Sequence, residues 1–255
     1  MAITIKTAEE IELMRESCRI VSDVIKLIGT QIKPGASTLQ LDLMAEDYIR
    51  SCGAVPAFKG YGAEVGNPFP GTLCISVDDE VVHGIPGKRI LREGEIVSID
   101  VGAKKNGFFG DGAFTFAVGD VSEEKRRLMR VTKESLDRAV EKAVDGNRIG
   151  DIANAVQSHV EAEGFSVVRD LVGHAVGREL HEDPQVPNYG KPNKGVMLCA
   201  GMTLAIEPMV NAGSYKVRTL ADRWTIVTQD GKPSAHFEYT IVVGKGKAEV
   251  LTMYN

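Results

Sequence analysis

The 255-residue sequence has little cysteine: Cys18, Cys52, Cys74 and Cys199 stand far apart, and no two form a CxxC pair. That spacing excludes a thiolate metal ribbon and a dense disulfide scaffold, and leaves free thiols in a reducing cytosol as the expectation. Long apolar runs are missing, and the start, Met1-Ala2-Ile3-Thr4-Ile5-Lys6, lacks the pattern of a secretion signal. A cytoplasmic location with no membrane partner is therefore expected. Positive charge is not in excess, since 30 Lys and Arg face 35 Asp and Glu for a formal net charge of -5. Broad nucleic-acid binding by field alone is disfavoured, although a local basic patch stays open. The remaining composition, 43% hydrophobic and 25% charged, is that of a globular protein able to bury a sizeable core.

Three strand-like runs each carry one carboxylate where a core residue belongs. They read Ile96-Val97-Ser98-Ile99-Asp100-Val101, Leu204-Ala205-Ile206-Glu207-Pro208-Met209 and His236-Phe237-Glu238-Tyr239-Thr240-Ile241. A fourth acid, Asp111, follows Asp100 closely. Burying an isolated carboxylate is costly, so such groups are normally paired, protonated or bound to a cation. Four of them recurring in this way suggest one shared positive charge, and a divalent metal supplies it.

Hydrophobic spacing predicts a helix over residues 8 to 29, opened by a Thr7/Glu10 capping box, and a second from Thr38 to Ser51 ending at Gly53. Residues 60 to 71, rich in Gly and Pro, read as a loop. Strands follow at 74–77 and 96–103, and Asn106-Gly107 turns the chain into a returning strand over 108–118. The pattern then starts again, with helices over 122–144 and 151–163 and strands at 165–172, 203–210, 223–228 and 236–243. Leu91 to Asp100 parallels Leu198 to Glu207 without a gap, at an offset of 107, and Gly35 and Gly53 parallel Gly146 and Gly164 at an offset of 111. The expectation is an α+β fold: one domain over 1–255, with pseudo-symmetric αα-β halves about 8–120 and 121–245 around a mostly antiparallel sheet.

If Asn106-Gly107 makes a two-residue turn, Lys105 faces Phe108 and Gly102 faces Asp111. Asp100 then lies diagonal to Asp111 on one strand face, roughly 5–8 Å away at Cβ, close enough to share a metal. Solvated hairpin charges are the competing reading. His174, in Val172-Gly173-His174-Ala175-Val176-Gly177, and His181, before Glu182-Asp183-Pro184, are either core and turn residues or the nitrogen donors of a site. His83, in Val81-Val82-His83-Gly84, is open to the same two readings. One nitrogen and four carboxylates suit borderline-to-hard cations, and a two-metal centre would make this a metallohydrolase.

These residues resemble the methionine aminopeptidases of type I. The resemblance rests on Cys74-Ile75-Ser76-Val77 with Glu80-Val81-Val82-His83-Gly84-Ile85-Pro86, then Asp100, Asp111, His174 with Gly177-Arg178, His181-Glu182-Asp183-Pro184, Ile206-Glu207-Pro208 and Glu238 in order. It runs over essentially the whole chain, and the short stretch between His181 and Glu207 leaves no room for the helical insertion of type II. The resemblance implies the two-fold pita-bread fold of the creatinases and aminopeptidases. It implies two divalent ions (Co, Mn, Fe or Zn) held by Asp100, Asp111, His174, Glu207 and Glu238, with Asp111 and Glu238 bridging. A metal-bridged water would attack the first peptide carbonyl, with Glu207 as proton shuttle, His83 at the scissile amide and His181 at the carbonyl oxygen.

The substrate implied is the N-terminal methionine of nascent chains, ahead of a small second residue, met by a monomer in transient contact with the ribosome. Phe58, Tyr61, Cys74, Leu180 and Trp224 are the expected walls of the methionine pocket, with ordinary core packing as the alternative for each. The sequence departs from the family pattern at Phe109, Gly112, Ala175 and Tyr239, and in a longer Gly62 to Phe69 loop, which places the tuning of the site rather than its donors in question. Two other functions fit the same fold. One is an Xaa-Pro aminopeptidase or prolidase, which usually carries an extra N-terminal domain that a first helix beginning near residue 8 does not leave room for. The other is a non-catalytic binding module, which typically loses the donor residues retained here.

Overall fold

The computed structural model describes residues 3–254; Met1 and Ala2, at the start of the segment read for targeting signals, lie outside them. Helix α1 spans Ala8–Gly29, and its capping box forms as the sequence predicts. The Thr7 hydroxyl accepts from the Glu10 amide, and the Glu10 carboxylate accepts from the Thr7 amide. Helix α2 (Thr38–Ser51) follows, then α3 (Glu123–Lys142) and α4 (Ile149–Ala162) after the first strand group. The last begins two residues before its expected start. No described helix is long and apolar enough to cross a membrane.

One nine-stranded sheet dominates. Its main path runs Val55–Pro56, Ile96–Lys105, Phe108–Ala117, Glu238–Val242, Thr203–Ile206, Val172–Ala175 and Glu182–Pro187, and every pairing is antiparallel. Leu73–Val77 also pairs with Ile96–Lys105, and Glu249–Val250 with Glu238–Val242. The hairpin register is the one that Asn106-Gly107 dictates: Lys105 faces Phe108, and Gly102 faces Asp111.

Strand parity divides this sheet into two faces. Ile99, Val101, Phe114, Leu204, Ile206 and Tyr239 point to the helices and join two large apolar clusters beneath them. On the opposite face, Cys74, Asp100, Ala113 and Glu238 lie directly across from one another in neighbouring strands. Asp111 is two residues from Ala113, while Thr240, Ala205 and His174 form the next row of partners. Alternation therefore gathers the acids on the face away from the helices.

The sequence repeat recurs in the backbone. Gly35 donates to Leu91 and Leu91 to Ala36; Gly146 donates to Leu198 and Leu198 to Asn147. Isolated bridges Ser37–Ile90 and Arg148–Met197 match at the same offsets. Gly94 and Gly201, at equivalent positions, both turn with positive φ, 86° and 90°.

Four expected strands are shorter than read, among them the 236–243 run, which breaks at Phe237 into Ser234–His236 and Glu238–Val242. The 165–172 run gives only Ser166–Val167, and Val172–Ala175 is a separate strand; the 203–210 run splits at Glu207-Pro208; the 223–228 run starts at Ile226. Proline lacks the amide a ladder needs, which accounts for the split at Pro208. In the 223–228 run, the Asp222 carboxylate accepts from the Trp224 and Thr225 amides and holds the chain in a turn.

Candidate metal centre

The sheet face opposite the helices floors a cleft lined by Phe58, Tyr61, Cys74, His83, Asp100, Asp111, His174, Leu180, His181, Glu207, Trp224 and Glu238. Every residue given a donor, catalytic or pocket role from the sequence is there. Phe69 joins them, and no earlier signal had marked it.

At one end the carboxylates converge. Asp111, His174 and Glu238 place donor atoms within 4.8 Å of one another. His174 Nε2 lies 3.9 Å from Asp111 Oδ2 and 3.6 Å from Glu207 Oε1. Its Nδ1–H donates to the Ala175 carbonyl at 3.0 Å. A carbonyl can only accept, so the proton is on Nδ1 and the Nε2 lone pair is aimed at the acids. Thr240 braces Asp111 from behind: its hydroxyl donates to the Asp111 carbonyl at 2.8 Å and accepts from the Asp111 amide at 3.2 Å. Glu207 sits at the strand break before Pro208, where the Asn188 side-chain amide holds its carbonyl at 2.9 Å.

Electrostatics make this end unstable as a set of bare charges. Burial lifts the Asp100 carboxyl to about 7 and that of Glu207 to about 8. Asp111 and Glu238 are pushed well above the usual carboxylate range, first by burial and then by their acidic neighbours. Among the described residues their ion-pair neighbours are histidines, not lysine or arginine. Burial also holds His174 down to about 3 and His83 to about 4, so neither supplies a positive charge at neutral pH. Asp100 Oδ1 and Glu238 Oε1 are buried with no hydrogen-bond partner among the described residues. Native proteins rarely leave such atoms unpaired, and a four-carboxylate, one-imidazole donor set fits a divalent cation of the Mn, Fe, Co or Zn kind.

The other end is apolar. Phe58, Phe69, Cys74 and Leu180 form a small buried cluster, with Trp224 packed against it. The Phe69 and Trp224 rings meet edge to face at 5.3 Å. His83 and His181 stand between the two ends. His83 adopts φ 59°, a left-handed conformation uncommon for a side-chain-bearing residue and often found at functional sites. Its carbonyl accepts from the Thr225 hydroxyl at 3.4 Å, and its ring meets that of Trp224 edge to face. His181 lies at the solvent-facing rim, with its ring against that of His174.

A metallopeptidase family M24 model matches residues 12–245. The chain belongs to that family. Methionine aminopeptidase 1 of Bacillus subtilis is 53% identical over 250 residues, 98% of this chain and 99% of its own. Among solved structures, methionine aminopeptidase from Thermotoga maritima superposes with a TM-score of 0.95 at 46% identity, covering 98% of this chain and 99% of that one. The M24 fold extends further: the prolidase from Pyrococcus furiosus has a TM-score of 0.79 at 24% identity, but this chain covers only 66% of it. That likeness concerns the fold alone.

The fold is thus the pita-bread arrangement the sequence implied. Two side chains of this M24 site carried no role in the sequence reading. Phe69 lay inside a Gly- and Pro-rich loop. His236 is buried, and its Nε2 reaches to 3.7 Å from Glu207 Oε2 without a hydrogen bond. Its signal was available, because it stands two residues before Glu238, but a break at Phe237 separates the two strands.

Proposed function

We propose that this protein removes N-terminal methionine from peptides and nascent chains, favouring a small second residue. The observation that carries the reading is the junction of an apolar pocket with a buried carboxylate cluster in one cleft. The 53% identity to a methionine aminopeptidase over nearly the full length supports the same conclusion.

In this proposal Asp100, Asp111, His174, Glu207 and Glu238 hold two divalent ions, which supply Lewis-acid polarisation of the carbonyl and a nucleophilic water at neutral pH. The chain's own residues do the rest. Phe58, Tyr61, Phe69, Cys74, Leu180 and Trp224 seat the methionine side chain, and the substrate amino group meets the acidic end. His181 donates to the carbonyl oxygen as charge develops there. Glu207 takes a proton from the attacking water and returns it to the leaving nitrogen. His83 contacts the scissile amide. The whole chain acts as one catalytic domain with halves about 8–120 and 121–245.

A monomer is part of the same reading. A nascent-chain substrate supports a cytoplasmic location and transient contact with the ribosome. The test is turnover of Met-Ala and Met-Gly peptides by metal-reconstituted protein, beside an Xaa-Pro series. Cleavage of the methionyl peptides alone is expected. Preference for Xaa-Pro substrates, or no turnover with either, would overturn the reading.

A further inference from the structure

Tyr61 is assigned above only as a pocket wall, yet its hydroxyl lies 2.8 Å from His181 Nδ1. The contact is built rather than incidental. The Tyr61 amide donates to the Phe58 carbonyl at 2.9 Å, and the Tyr61 carbonyl accepts from the Phe69 amide at 2.8 Å. Gly60 donates back to the Phe69 carbonyl at 2.8 Å, so the 60–69 loop is pinched shut at the residue that carries the phenol. Beyond this neck, Gly62 passes close to the Trp224 ring with φ +81°, a left-handed conformation that favours glycine, and a Cβ there would come within 3.1 Å of the ring. The Tyr61 ring also stands edge to face against both His181, at 5.3 Å, and Trp224, at 6.5 Å.

We infer that Tyr61 is a positioning residue for His181: its phenol O–H donates to Nδ1, which fixes the ring's orientation and leaves the imidazole proton on Nε2, the nitrogen available to the cleft. The direction of the hydrogen bond follows from the two groups. A phenol is the better acid and a neutral imidazole nitrogen the better base, so the shared hydrogen belongs to Tyr61. An imidazole that accepts at Nδ1 must carry its single proton on Nε2. That is the form able to donate to a carbonyl oxygen, and it is the opposite tautomer to His174, whose Nδ1–H donates to the Ala175 carbonyl. Two adjacent histidines in edge-to-face contact are thereby given opposite duties, one presenting a lone pair and the other a proton. The inference rests on the reading of His181 as the partner of the scissile carbonyl.

The test uses long-range proton–nitrogen NMR on zinc-loaded protein labelled at its histidine nitrogens, together with steady-state kinetics. In the native protein His181 is expected to show a protonated Nε2 and an unprotonated Nδ1. In Tyr61→Phe the Nδ1 resonance of His181 should move, while those of His83 and His174 stay. Turnover of Met-Ala peptides should fall by about three- to tenfold, the factor set by one hydrogen bond of ordinary net worth. KM should change much less, and the zinc content should be unchanged.

In a His181→Ala background the further change Tyr61→Phe should cost much less turnover than it does in the native protein. Overturning results are a protonated Nδ1 in the native protein, or a His181 spectrum indifferent to Tyr61→Phe. If the spectrum responds as expected but His181→Ala keeps full turnover, the role given to His181 in catalysis is wrong, and the mechanistic half of the inference falls with it.

Discussion

The two ends of the cleft are built from the same sheet face and adjacent loops, yet they satisfy their side chains in opposite ways. At the apolar end, Phe58, Phe69, Cys74 and Leu180 fill one another's contacts and need nothing more. At the acidic end, Asp100 Oδ1 and Glu238 Oε1 are buried without hydrogen-bond partners among the described residues; burial lifts all four carboxyls, and acidic neighbours add to the lift at Asp100, Asp111 and Glu238. The apolar end leaves one neutral donor unpaired, the Trp224 Nε1–H, whereas the acidic end gathers four carboxyls that call for a cation. Under the proposed function, recognition falls to the end built from packed apolar side chains and chemistry to the end built from buried acids.

This contrast can be broken first at Asp111. Asp111→Asn keeps the volume but removes a charge at the centre of the donor cluster. Turnover of Met-Ala peptides should fall by at least about a hundredfold, with loss of bound metal seen by elemental analysis. An unchanged rate would dissolve the distinction between the ends. His181→Ala comes next: it should cost about 10²–10³ in kcat, the usual loss of one donor to a developing oxyanion, with metal content intact. Rate and metal content measured on one preparation separate the two roles.

The pH dependence of stability without metal gives a third test, smaller in size. Asp100 and Glu207 have folded pKa values of about 7 and about 8, raised from unfolded values near 4. The folded state therefore holds more protons than the unfolded one between those limits, and stability falls as pH rises through them. His83 and His174 are shifted the other way, to about 4 and about 3, so stability gained from them rises with pH up to about 6.5. The two groups oppose each other below about 6.5, and only the carboxylates act above it. Melting of metal-free protein should thus drop between pH 6.5 and pH 8, and added divalent cation should remove the drop. A flat or rising profile would contradict the burial of unpaired acids.

At the apolar end the effects should be the smallest and should appear in binding. Leu180→Ala should raise KM for methionyl peptides by about tenfold, as expected from a few lost methylene contacts, with kcat nearly unchanged. A fall in kcat instead would mean that the pocket wall also sets the geometry of the acidic end.

How much of this was legible in advance follows from how local each signal is. Asn106-Gly107 fixes a two-residue turn, so the pairing of Gly102 with Asp111 could be counted from the sequence, and it is the pairing observed. Carboxylates in apolar strands were visible for the same reason, since parity decides which face each occupies. Phe69 was not legible, because its place depends on hydrogen bonds to Gly60 and Tyr61 that close a loop across the pocket. His236 lay in plain view but belongs to a separate short strand, and only the fold brings it to Glu207. Sequence periodicity also overran the breaks at Asp222 and at Pro208, where a carboxylate-held turn and a proline interrupt the ladder.

The most direct measurement is calorimetric titration of Mn²⁺ into metal-free protein at pH 7 in two buffers of different ionisation heat. Buried carboxyls that are partly protonated must give up their protons to a cation. Saturation at two ions per chain with proton release, and loss of tight binding in Asp111→Asn, is the predicted result. Absence of binding, or binding without proton release that Asp111→Asn leaves intact, would contradict it.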